Sequence, residues 1–204
     1  MKALLIVDLQ NDFMPGGSLA VPGADVLADV INPLMEKFDL VVASQDWHPS
    51  DHRSFALNHS GKKPGQIVDV KGIDQVLWPV HCVSDTHGAE LVEALDLEKV
   101  DAVFYKGNDP WIDSYSTFFD NARKRSTGLE EYLRLKNVKD LYIAGVATDY
   151  CVLYSVLDAL ERGFNVYVLQ DGCRGIDLQP GDVKKSFNTM KEAGAHLIQS
   201  EKLL

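Results

Sequence analysis

The chain has 204 residues, of which 46% are hydrophobic and 25% are charged, and its net charge is −10 at pH 7. A domain of this length buries enough surface to fold without disulfide bonds, and this composition is that of an ordinary globular domain. We therefore expect a single domain over residues 1–204, and the acidic charge argues against a nucleic acid or an anionic membrane as its partner.

The beginning of the chain shows no recognisable export signal. The first apolar run, Ala3–Val7, ends at Asp8, and no small-residue cleavage site follows it. No stretch approaches the about 18 apolar residues that a membrane-spanning helix needs. The three cysteines cannot all pair with one another, so we expect free thiols in a reducing cytoplasm. They are Cys82, Cys151 and Cys173.

Strand-like and helix-like segments alternate along the chain. Apolar runs predict strands at Ala3–Val7, Leu40–Ala43, Ala102–Tyr105, Leu141–Val146, Val166–Leu169 and Leu197–Ile198. Apolar residues spaced at i, i+3 and i+4 predict helices at Ala24–Phe38, Leu129–Leu135, Tyr150–Glu161 and, more weakly, Asp182–Ala193. Strands that are apolar on both faces are typical of a parallel sheet covered by helices on both sides. The predicted fold class is therefore α/β.

Two irregular segments interrupt this alternation. Residues 44–88 contain five of the six histidines and show little periodicity, and residues 106–121 follow the third predicted strand. Irregular segments of this length inside a compact domain are usually functional.

Polar residues follow several of the predicted strands. They are Asp8, Asp46-Trp47-His48, Lys106, and Ala147 to Cys151. Open parallel sheets bind their ligands at the carboxyl ends of the strands, so we expect these residues to converge in space.

Cys151 lies in the first turn of a predicted helix, directly after a predicted strand. Thr148 or Asp149 would be the N-cap of that helix. Free backbone N–H groups and the positive helix end favour a thiolate there and could hold a developing oxyanion. A lone cysteine is more often a buried core residue, but the strand–turn–helix position favours a nucleophile.

Asp8 and Lys106 occupy equivalent positions at the ends of their strands. A carboxylate at the rim of the core is partly desolvated, which raises its pKa and makes it a plausible proton acceptor for a thiol. The ammonium of Lys106 would stabilise both the thiolate and the carboxylate. Because no histidine lies at these positions, we expect an Asp–Lys–Cys set in which the thiolate attacks a carbonyl and water hydrolyses the acyl-enzyme.

A second constellation contains a carboxylate and imidazoles. Asp46 and His48 lie two residues apart, and the same irregular segment contains further histidines at His52, His59, His81 and His87. Such ligands suit zinc, iron or manganese, and a site with three protein ligands leaves positions open for a substrate such as a pyridine nitrogen. A merely solvated histidine-rich loop is the alternative.

The chain resembles the nicotinamidase/pyrazinamidase branch of the isochorismatase-like hydrolases over essentially its whole length. The stretches that carry the resemblance are ALLIVDLQNDFMPGGSLAVPGA (3–24), SQDWHPSDHRSF (44–55), WPVHCV (78–83), YKGNDPWIDSYSTF (105–118) and GVATDYCVLYSVLDALERGF (145–164). The resemblance implies a Rossmann-like, three-layer α/β/α fold with a six-stranded parallel sheet. It also implies a hydrolase that converts nicotinamide to nicotinate and ammonia in NAD salvage and acts on pyrazinamide as well.

The resemblance also implies roles for individual residues. It assigns catalysis to Asp8, Lys106 and Cys151, and the metal, usually zinc but also iron or manganese, to Asp46, His48 and His81, with His52 ranked below them. It assigns the aromatic walls of the substrate pocket to Phe13 and Trp78, a further pocket position to Tyr115, and the oxyanion hole to the N–H groups of Ala147 and Cys151, which a cis Val146-Ala147 bond would aim. The family includes monomers and homo-oligomers.

Two departures from the family pattern stand out. Trp111 occupies a position where we expect a smaller or polar residue, and it could reshape the rim of the pocket. The interval between His48 and His52 is short, which weakens the case for His52 as a fourth ligand.

Three other functions compete with this interpretation. Another isochorismatase-like amidohydrolase would act on a different small amide, but the isochorismatase branch itself lacks the DWH…WPVH metal pattern. A nucleotide-binding module is unsupported because no GxGxxG follows the first strand. A scaffold with a relic site is disfavoured because the Asp–Lys–Cys set is complete.

Overall fold

The computed structural model describes residues 1–204. It contains eight strands: β1 (Lys2–Val7), β2 (Leu40–Asp46), β3 (Ile67–Val70), β4 (Ile73–Val76), β5 (Ala102–Lys106), β6 (Asp140–Val146), β7 (Asn165–Arg174) and β8 (His196–Ile198). Its α-helices are α1 (Leu27–Ile31), α2 (Leu129–Leu135), α3 (Leu153–Glu161) and α4 (Asp182–Glu192). Short 3-10 helices lie at Asn11–Phe13, Ala24–Val26, Asn32–Lys37, Ala56–Asn58, His87–Ala89, Leu97–Lys99 and Ser200–Lys202.

The main sheet has six parallel strands in the order β5-β2-β1-β6-β7-β8. β1 is buried on both faces, with Leu4 and Ile6 in one apolar core and Leu5 and Val7 in the other. Helix α1 packs in the first core, and α2, α3 and α4 contribute to the second. The three-layer α/β/α fold that we predicted from the sequence is confirmed.

The chain reverses its direction of growth across the sheet at β1. It adds β2 and β5 on one side of β1, then crosses to the other side to add β6, β7 and β8. A crevice forms at the carboxyl ends of the strands at such a switch point. The predicted strand-end residues therefore surround the position where ligands bind in folds of this type.

The structure does not contain the single continuous helix that we predicted over Ala24–Phe38. The structure has a 3-10 turn, then the five-residue helix α1, then a 3-10 helix from Asn32 to Lys37. Pro33 lies at the start of that last segment and cannot donate an N–H to the preceding turn, so the α-helix ends there. Apolar side chains at helical spacing bury this segment, but they do not hold it in one continuous α-helix.

The predicted helix Tyr150–Glu161 begins differently from our expectation. Residues Thr148–Val152 form a π-type turn, in which the Val152 N–H donates to the Ala147 carbonyl at 3.0 Å, and α3 starts only at Leu153. Turns of this type occur frequently at functional sites.

The segment 44–88, which we expected to be irregular, also differs in part. Its first residues complete β2, and β3 and β4 form an antiparallel hairpin within it. The hairpin is only half-buried, and Ile67 in it is 62% exposed, so its apolar residues do not mark a core strand. The second segment, 106–121, contains no helix and, after Lys106, no strand. No helix in the structure has both the length and the apolar character of a membrane span.

Candidate active site

Three charged or nucleophilic side chains meet at the carboxyl end of the sheet. Asp8 follows β1, Lys106 is the last residue of β5, and Cys151 lies in the turn after β6. Lys106 Nζ lies 2.9 Å from Asp8 Oδ2 and 3.3 Å from Cys151 Sγ. A carboxylate oxygen of Asp8 lies within 4.8 Å of the Cys151 sulfur, and all three residues are buried. The structure thus brings together the three residues that we predicted for catalysis.

Lys106 carries a positive charge at this buried position. Burial alone would lower the pKa of Lys106, but the carboxylates of Asp46 and Asp8 beside it hold that pKa well above its usual value. Lys106 Nζ also donates to the Ser114 carbonyl oxygen at 3.0 Å. The ammonium therefore has fixed partners and a fixed charge.

Asp8 has the properties of a proton acceptor near neutral pH. Burial raises the pKa of Asp8 to about 6, although Lys106 opposes this shift. The Ser44 hydroxyl donates to Asp8 Oδ1 at 2.7 Å, which fixes the orientation of the carboxylate. A carboxylate with this pKa is ionised at pH 7 and still basic enough to take a proton from a thiol. The desolvation that we expected from the sequence is confirmed.

Burial affects the protonation of Cys151 more than the helix end that we expected to favour a thiolate. Burial raises the pKa of the Cys151 thiol well above its usual value, and Lys106 lowers it only in part. The resting group is therefore a thiol, and not a thiolate that the helix end would favour. The proton must leave during the reaction, and the neighbouring Asp8 can accept it.

The predicted N-caps of this helix are also wrong. The turn that begins at Thr148 has no side-chain cap hydrogen bond. The carboxylate of Asp149 instead accepts the backbone N–H groups of Ile176 at 3.0 Å and Asp177 at 2.7 Å. Asp149 therefore fixes the segment after β7 against the nucleophile turn.

The backbone around Ala147 can hold a carbonyl oxygen. The Val146-Ala147 peptide bond is cis, as the resemblance implied. The Ala147 N–H has no hydrogen-bond acceptor within the protein. Ala147 and Cys151 both line the same pocket, so a ligand oxygen there can accept the Ala147 N–H. Participation of the Cys151 N–H stays a prediction.

A carboxylate and two imidazoles meet next to the catalytic residues. Asp46 Oδ2 lies 3.7 Å from His48 Nε2 and 3.9 Å from His81 Nε2, and all three residues are buried. The Nδ1 atoms of the two rings lie 2.8 Å from the carbonyl oxygens of Gly107 and Pro79, respectively. A carbonyl oxygen only accepts, so each Nδ1 carries a proton. The lone pair of each neutral ring then lies on Nε2, where it could bind a cation together with the carboxylate of Asp46. This donor set fits a divalent metal ion.

The charges in this cluster also favour a cation. Burial alone would raise the pKa of Asp46, but Lys106 and His48 hold it well below its usual value, so the carboxylate is ionised. Burial lowers the pKa of His81 to about 4, which keeps this ring neutral near pH 7. Although burial opposes it, Asp46 raises the pKa of His48, and the same attraction would act on a metal ion.

The remaining histidines of segment 44–88 lie outside this cluster. His52 is close to His48 and Asp113, and not to both Asp46 and His81. His59 Nε2 bonds to the Arg53 carbonyl at 2.8 Å, and His87 is exposed beside Glu90. Spacing along the chain could not have selected His81 from this set, whereas the resemblance did.

Cys151 and two members of the carboxylate–imidazole cluster, Asp46 and His81, line one pocket. Phe13, Trp78 and Tyr115 line it, as the resemblance implied. Leu19, Asp113, Tyr150 and Ile176 also line it, and our sequence analysis did not assign them. Tyr150 packs edge-on against Trp78 with ring centroids 4.8 Å apart. Adjacency to Cys151 could have indicated Tyr150, but nothing in the sequence marks Leu19 or Ile176.

Trp111 does not belong to the lining of this pocket. Its ring is 43% exposed, and the cationic groups of Arg53 and Lys71 lie 4.9 Å and 4.3 Å from the ring centroid. The expectation that Trp111 reshapes the pocket rim is therefore not supported.

The Isochorismatase domain family matches residues 2–202. The chain belongs to the isochorismatase family. Within that family it is 48% identical to the nicotinamidase of Escherichia coli (strain K12), over 96% of this chain and 93% of the relative.

Solved structures of the same family agree with this assignment. An Acinetobacter baumannii nicotinamidase/pyrazinamidase is 43% identical, covers 100% of this chain and 98% of its own, and superposes with a TM-score of 0.96. The pyrazinamidase of Pyrococcus horikoshii in complex with zinc is 39% identical, covers 97% of this chain and 98% of its own, and has a TM-score of 0.79.

Proposed function

We propose that the chain is a nicotinamidase, a cysteine hydrolase that cleaves nicotinamide to nicotinate and ammonia in NAD salvage and also accepts pyrazinamide. The observation that carries this proposal is the contact of Lys106 with Asp8 and Cys151, next to a candidate metal cluster and a pocket lined by aromatic residues. Relatives that are named nicotinamidase and align over nearly the whole chain support the same activity.

The pocket suits a small aromatic amide. Phe13 and Trp78 line the pocket, and their rings would pack against a pyridine ring, in keeping with the aromatic lining of small-molecule sites. A carboxamide on that ring would reach Cys151, and the ring nitrogen would face the metal cluster.

The chemistry of the chain's own residues follows from their protonation states. Asp8 accepts the thiol proton as Cys151 Sγ attacks the carboxamide carbon. The Ala147 N–H, and in our proposal the Cys151 N–H, donate to the oxygen that becomes negative. Protonated Asp8 then gives its proton to the leaving nitrogen, and ammonia departs.

The acyl-enzyme is hydrolysed by the same groups in reverse roles. Asp8, again ionised, accepts a proton from water as the water attacks the thioester carbon. The thiol of Cys151 reforms when Asp8 returns the proton, and nicotinate leaves. Lys106 stays charged throughout and offsets the negative charge that passes between Asp8 and Cys151.

Asp46, His48 and His81 would hold a divalent metal, which we propose to be zinc, with iron and manganese as alternatives. A bound metal supplies a Lewis acid that fixes the ring nitrogen of the substrate. The zinc complex of the Pyrococcus horikoshii relative supports this choice of metal.

The wider assignments are proposals of the same kind. We propose a single domain over residues 1–204, a cytoplasmic enzyme with a small-molecule substrate, and no nucleic acid or membrane partner. A homo-oligomer stays a prediction.

Ammonia release from nicotinamide, measured together with the metal content of the protein, tests this function. We expect one equivalent of ammonia per nicotinate formed, metal near one ion per chain, and turnover of pyrazinamide. The control is Cys151→Ala with the same metal content. No release from nicotinamide at saturating metal, together with turnover of a different small amide, would assign the chain to another amidohydrolase.

A further inference from the structure

His52 lies beside the metal cluster without joining it. Its ring is fully buried, and its centroid is 4.3 Å from that of His48. Ligand atoms of Asp46, His48 and His81 converge in one group, whereas His52 converges with His48 and Asp113 in a different group. A buried imidazole at this position needs a role other than the one that spacing suggests.

The hydrogen bonds of His52 fix which nitrogen carries its proton. The Ser54 backbone N–H donates to His52 Nδ1 at 3.1 Å, and the Ser54 hydroxyl lies 2.7 Å from the same atom. A backbone N–H can only donate, so Nδ1 must accept and is unprotonated. A neutral ring with an unprotonated Nδ1 carries its proton on Nε2. That Nε2 atom is buried and has no hydrogen-bond partner in the protein.

This arrangement is the reverse of that in the two predicted ligands. His48 and His81 donate from Nδ1 to carbonyl oxygens, which leaves the Nε2 lone pairs free. In His52 the lone pair on Nδ1 already accepts from Ser54, and Nε2 presents a proton. His52 therefore has no free lone pair for a metal ion, but its Nε2–H can donate a hydrogen bond to an acceptor.

A buried carboxylate lies close to the His52 ring. One ring nitrogen of His52, one of His48 and a carboxylate oxygen of Asp113 lie within 4.8 Å of one another, yet no direct hydrogen bond joins His52 to Asp113. The Asp113 carboxylate is buried and held by the Ser114 N–H at 2.8 Å and by Gln75 Nε2 at 3.2 Å. It also lines the substrate pocket. A polar separation beyond direct hydrogen-bond reach suits a bridging water molecule.

We propose that His52 is a positioning residue whose Nε2–H, together with the Asp113 carboxylate, holds a water molecule beside the Asp46–His48–His81 cluster, and that His52 is not a metal ligand. This inference rests on the metal-dependent function proposed above. It gives His52 and Asp113 a shared role in ordering a water molecule next to the cluster.

The protonated nitrogen of each ring can be observed directly. Long-range ¹H–¹⁵N correlation spectra of ¹⁵N-labelled, zinc-loaded protein distinguish the two tautomers of a neutral imidazole. We expect the Nε2–H form for His52 and the Nδ1–H form for His48 and His81. An Nδ1–H form of His52, with Nε2 shifted by the metal, would overturn the inference.

Metal affinity supplies a second test that does not use the substrate. Removal of an outer hydrogen-bonding partner typically weakens metal binding by about 10–100-fold, and we expect a loss in that range for His52→Leu. His52→Gln, which retains an N–H donor, should restore most of the affinity. His81→Ala should lose more than His52→Leu, and His59→Leu, in the same segment but bonded to Arg53, should lose none.

The outcomes separate the alternatives. A loss for His52→Leu as large as that for His81→Ala, accompanied by a changed visible spectrum of the cobalt-substituted protein, would make His52 a ligand. Equal metal affinities of His52→Gln and His52→Leu would show that the N–H donor of His52 has no part in metal binding. Should His52→Leu fail to fold in a thermal melt, Asp113→Leu, which removes the acceptor, tests the other side of the water site, and an unchanged metal affinity there overturns the inference. Absence of nicotinamide turnover, with this order of affinities intact, would reject the proposed function alone.

Discussion

The predicted catalytic cluster and the candidate metal cluster lie side by side, but the fold constructs them differently. Asp8 follows β1, Lys106 ends β5, and Cys151 lies in the turn that follows β6, so the parallel sheet brings the three residues to one edge. The metal cluster takes only Asp46 from a strand.

The two histidines of the metal cluster depend instead on loops held by main-chain bonds. The His48 N–H donates to the Cys82 carbonyl at 3.0 Å, and the Ser84 N–H donates to the His48 carbonyl at 2.8 Å. These bonds tie the chain after β2 to the segment that contains His81. The comparison teaches that the sheet sets the positions of Asp8, Lys106 and Cys151, whereas contacts between loops set the positions of the two histidines.

Lys106 connects the two clusters. Its Nζ contacts Asp8 in the first and Asp46 in the second. Substitutions can therefore separate the clusters or show that they act together.

The largest effect should come from Cys151→Ala. Removal of the nucleophile should lower kcat for nicotinamide by at least about 10⁴-fold, because no other group in the pocket can form the acyl-enzyme. Metal content and the thermal unfolding midpoint should match the unmodified protein, since the metal cluster does not use the sulfur. Retained turnover would show that the nucleophile lies elsewhere.

The next effect should be the loss of stability in Lys106→Met. This change leaves Asp8 and Asp46 buried without their counter-charge, and breaking a buried ion pair typically costs about 3–5 kcal/mol of the free energy of unfolding. Denaturant unfolding at pH 7 measures it. Lys99→Met is the control, because Lys99 bridges Glu36 and Asp96 at the surface and should matter little. Similar losses in the two variants would contradict a special role for the buried ammonium.

Removal of the metal should affect binding of the substrate more than the chemical step. With a chelator, or in His81→Ala, we expect KM for nicotinamide to rise by about tenfold or more while kcat changes less, because Asp8, Lys106 and Cys151 keep their geometry. Steady-state kinetics on metal-depleted and reconstituted protein decide this. A fall in kcat with unchanged KM would place the metal in the chemical step.

The pH dependence should report the environment of Asp8. The reaction needs ionised Asp8, whose pKa burial raises from 3.8 to about 6. At saturating metal, kcat/KM should therefore fall about tenfold per pH unit below pH 6 and reach a plateau above it. An ordinary aspartate would keep full activity down to about pH 4, so a flat profile between pH 4.5 and 6 would contradict the desolvated base.

The smallest effect should come from Trp111→Ala. Loss of its contacts with Arg53 and Lys71 should reduce the free energy of unfolding by no more than about 1 kcal/mol, and KM for nicotinamide should not change because Trp111 lies outside the pocket lining. A shift in KM would bring Trp111 back to the pocket rim.

The sequence predicted all six strands of the main sheet because buried parallel strands are apolar on both faces. It did not predict the breaks around Pro33 or the hairpin of β3 and β4, where short segments and exposed side chains weaken the periodic signal. The proximity of Asp8, Lys106 and Cys151 could be predicted because the carboxyl ends of parallel strands converge, and their catalytic role stays a prediction.

The protonation of Cys151 could not be predicted in the same way. It depends on how many charges and how much protein surround the sulfur, and these quantities exist only in the folded chain. The pocket positions Leu19 and Ile176 were missed because they reach the site from segments without chemically distinctive residues.

Carbonyl oxygens of Gly107 and Pro79 hold the Nδ1 atoms of the His48 and His81 rings. A Cβ on Gly107 would lie 2.4 Å from Cε1 and 2.7 Å from Nδ1 of His48, so even alanine would push this ring aside. To change the metal preference of this site, an engineer would therefore first have to alter the main chain of these two loops. Its carbonyl oxygens set the direction of the Nε2 lone pairs on the two rings.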